Sequence, residues 1–123
     1  MNISQLSRRA LIATAVTFTM PFAMAQTPQK LKVGLMLPAT GTFAALGTAI
    51  ENGFRLHLAE QGGKLGGREV EFFKVDDESD PSKAIDNVNK LIKRDNVDVL
   101  IGSVHSGVAM AMARVAKGTG TLM

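Results

Sequence analysis

The feature that most constrains this chain is an alternation of short apolar runs with longer segments that carry apolar residues at helical spacing. Residues 31–37 form a nearly continuous apolar run, which is typical of a strand covered on both faces. Helical periodicity begins at Thr48 and ends at the glycine pair 62–63. Residues 69–75 partly alternate, as a strand with one exposed side does, and residues 97–101 form a third predicted strand.

Two further helices follow the second and third strands. Asp80 suits the N-cap of a helix, because its side chain can accept a backbone hydrogen bond. Pro81 suits the first helical position, because the backbone N–H that proline lacks has no partner within the helix there. Residues 108–116 are almost wholly apolar and predict a buried helix that ends at Gly118, and residues 121–123 indicate the approach to a fourth strand. This alternation predicts an α/β fold, a doubly wound parallel sheet with right-handed crossovers.

The predicted topology alone indicates where a binding site lies. In a doubly wound sheet, ligands bind beyond the carboxyl ends of the strands, where the strand order reverses. For the order 2-1-3 that point lies between the first and third strands, beside loops 38–47 and 102–106. Ser106 suits the N-cap of the third helix, and the free N–H groups of Gly107 and Val108 would then face an anion. The alternative, that Ser106 caps the helix and binds nothing, stays open.

Apolar and ring-bearing residues accompany this site. Loop 38–47 is longer than the roughly two to six residues usual after a strand, and its Phe43 and Leu46 offer apolar contacts to a ligand. The alternative is a plain connector whose apolar residues enter the core. His105 lies in the second nominated loop, whereas His57 is predicted on the buried face of the first helix.

The sequence contains no recognisable set of catalytic residues. The glycine-rich segment 62–67 follows a helix and precedes a strand, the reverse of a phosphate-binding loop, and residues 104–108 lack the first glycine of a nucleophile elbow. The chain has no Cys, which excludes thiolate chemistry and Cys-ligated metals. We therefore predict no catalytic residue, no metal and no cofactor.

An acidic group follows the second predicted strand. Its spacing lacks the alternation and the glycine of a calcium loop, so we interpret it as a solvated strand end rather than a cation site. Its members are Asp76, Asp77, Glu78 and Asp80.

The first 25 residues have the pattern of a secretory signal peptide. Arg8 and Arg9 precede the apolar run 10–22, and an A-x-A site ends at Ala25, where we expect cleavage. The run is shorter than the about 20 residues that span a membrane. Residues 7–12 are similar to a twin-arginine export motif, so the Sec and Tat routes both stay open. We predict an exported, periplasmic product formed by residues 26–123.

The positive charge of the chain belongs largely to this N-terminal segment. The formal net charge is +3, but two of the basic residues precede Ala25 and all 11 acidic residues follow it. The remainder is close to neutral, which gives no electrostatic reason to expect a nucleic-acid partner.

The order and spacing of these features together resemble the branched-chain amino-acid (leucine-binding) family of periplasmic substrate-binding proteins, which serve ABC importers. The resemblance runs from Lys30 to the end of the chain. The matching positions are residues 32–35, Gly41, 46–47, Gly53, 62–63, 65–67, 76–77, 80–81, Ala84, 99–102 and Ser106.

The resemblance implies a type I periplasmic-binding fold whose two lobes close on a small ligand. It assigns to Ser106 a hydrogen bond with the ligand's carboxylate, and its first-loop aromatic contact falls on Leu46, a departure that disfavours a simple leucine-type pocket. His105, beside the serine, is a specificity variable. Family members are much longer, so residues 26–123 correspond to a partial N-terminal lobe without the second lobe.

The function expected from the resemblance is the extracytoplasmic solute-binding component of an ABC importer, not an enzyme. Its partners would be a membrane permease and a small ligand: an amino acid, an amide, or an aromatic or other carboxylate. The predicted ligand-binding residues are Ser106, His105, Gly107, Leu46 and Phe43. The alternative function is a flavodoxin-like nucleotide- or flavin-binding domain, which includes enzymes.

Overall fold

The computed structural model describes residues 28–123, so the predicted signal peptide and its cleavage site after Ala25 lie outside the described residues. None of the helices within residues 28–123 is both long and apolar enough to cross a membrane. The elements in chain order are β1 (Leu31–Leu37), α1 (Ala44–Glu60), β2 (Lys64–Leu65), β3 (Arg68–Asp76), α2 (Pro81–Asn89) with a π-helical turn (Lys90–Arg94) that continues it, β4 (Val99–Ile101) and α3 (Ser106–Thr119).

The strands form one sheet in the order β2-β3-β1-β4. β1 is parallel to both of its neighbours and pairs with β3 along its whole length. This arrangement confirms the predicted order 2-1-3 of the three parallel strands. The short strand β2 was not predicted; it is antiparallel to β3 across Gly66 and Gly67, whose φ angles of 56° and 78° suit a tight hairpin turn that only glycine adopts easily.

Helices cover both faces of the sheet, as the doubly wound prediction requires. Phe54 of α1 contacts Phe72 of β3 edge-on, with ring centroids 5.1 Å apart. Phe73 points to the opposite face, because successive strand residues alternate, and packs against the core formed with α2 and α3. The buried members of that core are Met36, Ala84, Val88, Leu91, Val97, Leu100, Val108, Met112 and Ala116.

The first helix begins earlier than its sequence pattern indicates. α1 starts at Ala44 rather than Thr48, so the loop after β1 is residues 38–43 and not the predicted 38–47. Gly47 resembles a loop residue in the sequence, but it lies inside α1 and is buried against the carbonyl of Pro38. The glycine is needed because a Cβ there would collide with that carbonyl, not because the chain turns.

The predicted buried face of α1 is right at Phe54 and Leu58 but wrong at His57. The side chain of His57 is 61% exposed, and its Nδ1 lies 4.0 Å from Glu60 Oε2 on the helix surface. The face toward the sheet instead passes through Gly47 and Leu58, with Phe54 half-buried between them.

The later helices follow their predicted boundaries more closely. Asp80 is the N-cap of α2, where its Oδ1 accepts a 2.8 Å hydrogen bond from Ser82 N–H, and Pro81 begins the helix. α3 runs past Gly118 and is ended by Gly120, whose φ is 72°. Leu122 forms a parallel bridge with Val99, in agreement with the approach to a further strand beside β4.

Two glycines of α1 provide a matched test of this packing. Gly47→Ala is expected to lower the free energy of unfolding by about 1–3 kcal/mol, because the helix must move away from Pro38. Gly53→Ala should raise it by about 0.5–1 kcal/mol, since no atom beyond the neighbouring backbone of the helix lies within 4 Å of its added Cβ and alanine is the better helix former. Urea unfolding of both variants measures the difference, and equal effects would contradict the close approach at Gly47.

Candidate functional site

Three loops leave the sheet at the carboxyl ends of its parallel strands. Residues 38–43 follow β1, residues 77–80 follow β3, and residues 102–105 follow β4. Because β1 is parallel to both neighbours, these loops lie at one edge of the sheet. The strand order reverses between β1 and β4, where the topology predicts a ligand.

An aromatic pair joins the first and third of these loops. Phe43 immediately precedes α1, and His105 immediately precedes α3. Their ring centroids are 5.9 Å apart with an interplanar angle of 61°, an edge-to-face contact. Both side chains are half-buried. The structure therefore brings together two of the five predicted site residues from distant parts of the sequence.

The cap of α3 is His105, not Ser106 as predicted. Gly107 N–H donates to His105 Nδ1 over 3.0 Å, so this amide is occupied rather than free. Ser106 is instead the first residue of the helix, and it is exposed. Histidine can replace a serine cap because its Nδ1 is an acceptor separated from Cα by the same number of bonds as Asn Oδ1.

The backbone of the β4 loop is held from within. Ser103 Oγ donates to the carbonyl of His105 over 3.1 Å, and Ala109 N–H donates to the same carbonyl over 3.0 Å. Gly102 has a φ of 140° and lies against the carbonyl of Met36, where any side chain would collide. These contacts set the direction in which His105 leaves the sheet.

The Asp76 carboxylate holds the loop after β1 in place. Its Oδ1 accepts from Ala39 N–H over 2.8 Å, from Thr40 N–H over 3.3 Å and from Glu78 N–H over 2.8 Å. Its Oδ2 accepts from Thr40 Oγ1 over 2.7 Å. Burial alone would raise the pKa of Asp76, but these hydrogen bonds, led by that of Thr40 Oγ1, hold the pKa below its usual value.

Ser79 holds the far end of the same loop. Phe43 N–H donates to Ser79 Oγ over 3.1 Å, and Gly41 packs against the carbonyl of Glu78 so closely that a Cβ has no room. The loop that carries Phe43 is thus placed by the loop that follows β3.

The acidic group is not the solvated strand end that its spacing suggested. Asp76 ties two loops together, Asp80 caps α2, and Asp77 is 0% exposed. Asp77 Oδ1 accepts from Ser79 N–H over 2.8 Å, but its Oδ2 has no hydrogen-bond partner in the described part of the chain. Burial raises the pKa of Asp77, and the neighbouring charge of Asp76 adds to the effect.

The remaining predicted residues flank the aromatic pair. Leu46 lies in the first turn of α1 and is 54% exposed, and Ser106 is exposed at the start of α3. A groove of about 530 Å³ is lined by residues of β4, α3 and the C-terminal residues Thr121 and Met123, and does not include Phe43 or His105 in its lining. Within residues 28–123, no three His, Cys, Asp or Glu side chains are placed to hold a metal ion.

Sequence reasoning missed the residues that support the site. Asp76, Ser79 and Ser103 act on loops that are distant in sequence or on their own backbone, and Asp77 lies beneath them. The one local signal is an Asp followed two or three residues later by Glu and Ser at a strand end, a spacing that favours side-chain hydrogen bonds to the backbone.

Replacement of Asp76 tests the loop attachment. Asp76→Asn should lower the free energy of unfolding by about 1–3 kcal/mol at pH 7, because an amide cannot accept all of these hydrogen bonds. Since the folded pKa is lowered, the contribution of Asp76 is present above its unfolded pKa of about 3.9 and is lost as the pH falls through the folded value. Urea unfolding at pH 7 and near pH 2.5 should show the difference shrinking in acid, while the exposed Asp86→Asn serves as the control.

Asp77 should show the opposite pH dependence. Its raised pKa means that ionisation of the buried carboxyl destabilises the fold as the pH rises from about 3.9 through the folded value. Asp77→Asn keeps an acceptor for Ser79 N–H and removes the charge, so it should stabilise the protein by about 1 kcal/mol at pH 7. The same unfolding series measures it; a destabilised variant at pH 7 whose deficit persists in acid would refute this account.

The amino-acid sequence is similar to those of known binding proteins. A family model described as "Periplasmic binding protein" matches residues 30–123. The Leu/Ile/Val-binding protein BraC3 of Rhizobium johnstonii is 33% identical over 96 residues, which cover 76% of this chain and 26% of that protein. The Leu/Ile/Val-binding protein homolog 2 of Brucella abortus is 34% identical over 95 residues, which cover 76% of this chain and 25% of that protein.

Solved structures of solute-binding proteins are also similar to this chain. An ABC-transporter solute-binding protein from R. palustris in complex with benzoate is 58% identical, with a TM-score of 0.72, and the match covers 75% of this chain and 26% of that one. A branched-chain amino acid transporter substrate-binding protein from Streptococcus pneumoniae in complex with isoleucine is 26% identical, with a TM-score of 0.69, over 76% of this chain and 27% of that one. The chain thus spans about a quarter of the length of these proteins.

The described residues therefore form part of the N-terminal lobe of a type I periplasmic-binding fold, which confirms the predicted fold class. The flavodoxin-like alternative has no support among these relatives. The match to residues 30–123 and the similarity to Leu/Ile/Val-binding proteins show that the chain belongs to the periplasmic binding protein family.

Proposed function

We propose that the chain forms part of the first lobe of a solute-binding protein of an ABC importer, and that this lobe contributes to a site for a small aromatic carboxylate. The observation that carries the proposal is the Phe43–His105 ring pair at the start of α3, next to the exposed Ser106. This arrangement offers aromatic surface and anion-binding groups side by side.

The start of α3 supplies the anion-binding part. Ser106 N–H donates to no residue among those described, whereas Gly107 N–H is taken by His105 and Val108 is fully buried. Helix N-termini favour negative charge, because their free N–H groups point outward and the helix dipole is positive there. The hydroxyl of the exposed Ser106 adds a second donor for a carboxylate.

The ring pair supplies the selective part. Aromatic side chains prefer edge-to-face or offset contacts with other rings, and Phe43 and His105 already adopt the first of these. The 58% identical relative from R. palustris was solved with benzoate, and a further R. palustris solute-binding protein, 28% identical, was solved with 4-hydroxybenzoate. These relatives support an aromatic acid ahead of an amino acid as the ligand.

The remaining parts of the proposal concern the whole protein. We propose export by the signal peptide of residues 1–25, with cleavage after Ala25, and action in the periplasm with a membrane permease as partner. Residues 26–123 would form the partial first lobe, and Phe43, Leu46, His105, Ser106 and Gly107 would face the ligand. The protein would bind its ligand without transforming it, as solute-binding proteins do.

A chimera tests the ligand. Residues 28–123 replace the matching segment of the benzoate-binding relative, so that a second lobe is present, and calorimetric titration compares benzoate with isoleucine. We expect benzoate to bind and isoleucine to bind weakly or not at all. A folded chimera that binds isoleucine and not benzoate would overturn the aromatic assignment, and one that binds neither would overturn the proposed function.

Replacement of Ser106 tests the anion-binding part. Ser106→Ala in the chimera should weaken benzoate binding by about 10–100-fold, the effect of about 1.5–3 kcal/mol expected for a hydrogen bond to a charged group. Ser82→Ala, an exposed serine in the first turn of α2, is the matched control and should leave the affinity unchanged. Equal affinities of the two variants would remove Ser106 from the site.

A further inference from the structure

The two ring nitrogens of His105 have different surroundings. Nδ1 accepts the hydrogen bond from Gly107 N–H at 3.0 Å. A ring nitrogen accepts only when it carries no proton, so the neutral ring must carry its proton on Nε2. The hydrogen bond within the helix cap therefore selects the tautomer of the side chain.

The ring is also fixed in position. A Cβ on Gly107 would lie only 3.0 Å from Cε1 and 3.1 Å from Nδ1 of His105, so the absence of a side chain there makes room for the ring. Phe43 packs edge-on against it, and Phe43 is held through its N–H by Ser79. The carbonyl of His105 accepts from Ser103 Oγ and from Ala109 N–H.

Nε2 is the polar atom of the ring that has no internal use. It has no hydrogen-bond partner among residues 28–123, and it is not among the buried unpartnered atoms, so solvent reaches it. Neutral histidine with this tautomer presents an N–H donor at Nε2 and no second acceptor.

We infer that His105 is a specificity-determining residue. Its Nδ1 caps α3, which holds Nε2–H in a fixed position as a hydrogen-bond donor. This donor favours ligands that place a carboxylate or hydroxyl oxygen against it and disfavours ligands that place an ammonium group there. An ammonium facing Nε2–H would place two donors against each other without an acceptor, whereas an oxygen completes the hydrogen bond. The inference rests on the proposed function for its ligand class, an aromatic carboxylate without an α-ammonium group. The tautomer and the cap stand on the geometry alone.

The first experiment needs no ligand. Long-range ¹H–¹⁵N NMR of the 123-residue chain should show Nδ1 of His105 unprotonated and Nε2 protonated at pH 8. His57→Asn assigns the signals by removing the other histidine, whose side chain is on the surface of α1. A spectrum in which Nδ1 of His105 carries the proton would overturn the inference.

Two substitutions separate the two nitrogens. His105→Asn keeps an acceptor at the position of Nδ1 and removes Nε2, so its Tm should stay close to that of the unsubstituted chain. His105→Gln carries an amide that extends to the position of Nε2 but lacks the cap, so its Tm should fall by about 4–8 °C. Equal Tm values for the two variants would contradict the capping role.

The ligand preference is measured in the chimera with benzoate and L-phenylalanine, which differ by the ammonium group while sharing an aromatic ring. His105→Asn should weaken benzoate binding about tenfold and reduce the preference for benzoate over phenylalanine, whereas His57→Asn should change neither. An unchanged preference in a folded His105→Asn chimera would refute the recognition role. Failure of the unsubstituted chimera to bind benzoate would instead refute the proposed function, while the NMR and melting results would still decide the tautomer and the cap.

Discussion

Burial of β1 between two parallel neighbours is the constraint on which the rest of the structure depends. Val33, Leu35 and Met36 are each 0% exposed, and the strand pairs with β3 on one side and β4 on the other. A strand in this position must be apolar on both faces, and its parallel neighbours must return by crossovers over those faces. The three loops that follow these strands then share one edge, which is how Phe43 comes to lie against His105.

Polar contacts, rather than packing in the core, hold the loops in position at that edge of the sheet. Asp76 and Ser79 hold the loop that carries Phe43, whereas Ser103 and Gly107 contact His105 from its own loop and helix. The two supports are separate and meet through the ring pair. The distance between the rings therefore depends on both supports, one attached to the loop after β1 and the other to the loop after β4.

The sequence predicted those features that depend on local signals. Short apolar or partly alternating runs identified the three parallel strands, and Asp80 with Pro81 identified the start of α2. The start of α1 was misplaced because Gly47 is required for close packing against the Pro38 carbonyl, whereas in the sequence a glycine there looks the same as one required for a turn. The acidic residues were misread for a different reason, since most of the donors that surround Asp76 belong to the loop after β1, which is distant in sequence.

The cap of α3 shows how a one-residue difference changes the chemistry available at a site. With Ser106 as the cap, its hydroxyl would be engaged by the helix, and capping would compete with ligand binding. With His105 as the cap, the helix uses Nδ1 for one of its free N–H groups and leaves the Ser106 hydroxyl exposed. A cap can satisfy only part of the first turn, whose N–H groups outnumber the acceptors of one side chain. The arrangement thus stabilises α3 while the donors that an anion needs stay free, so the stability of the helix and the proposed binding of a carboxylate do not oppose each other.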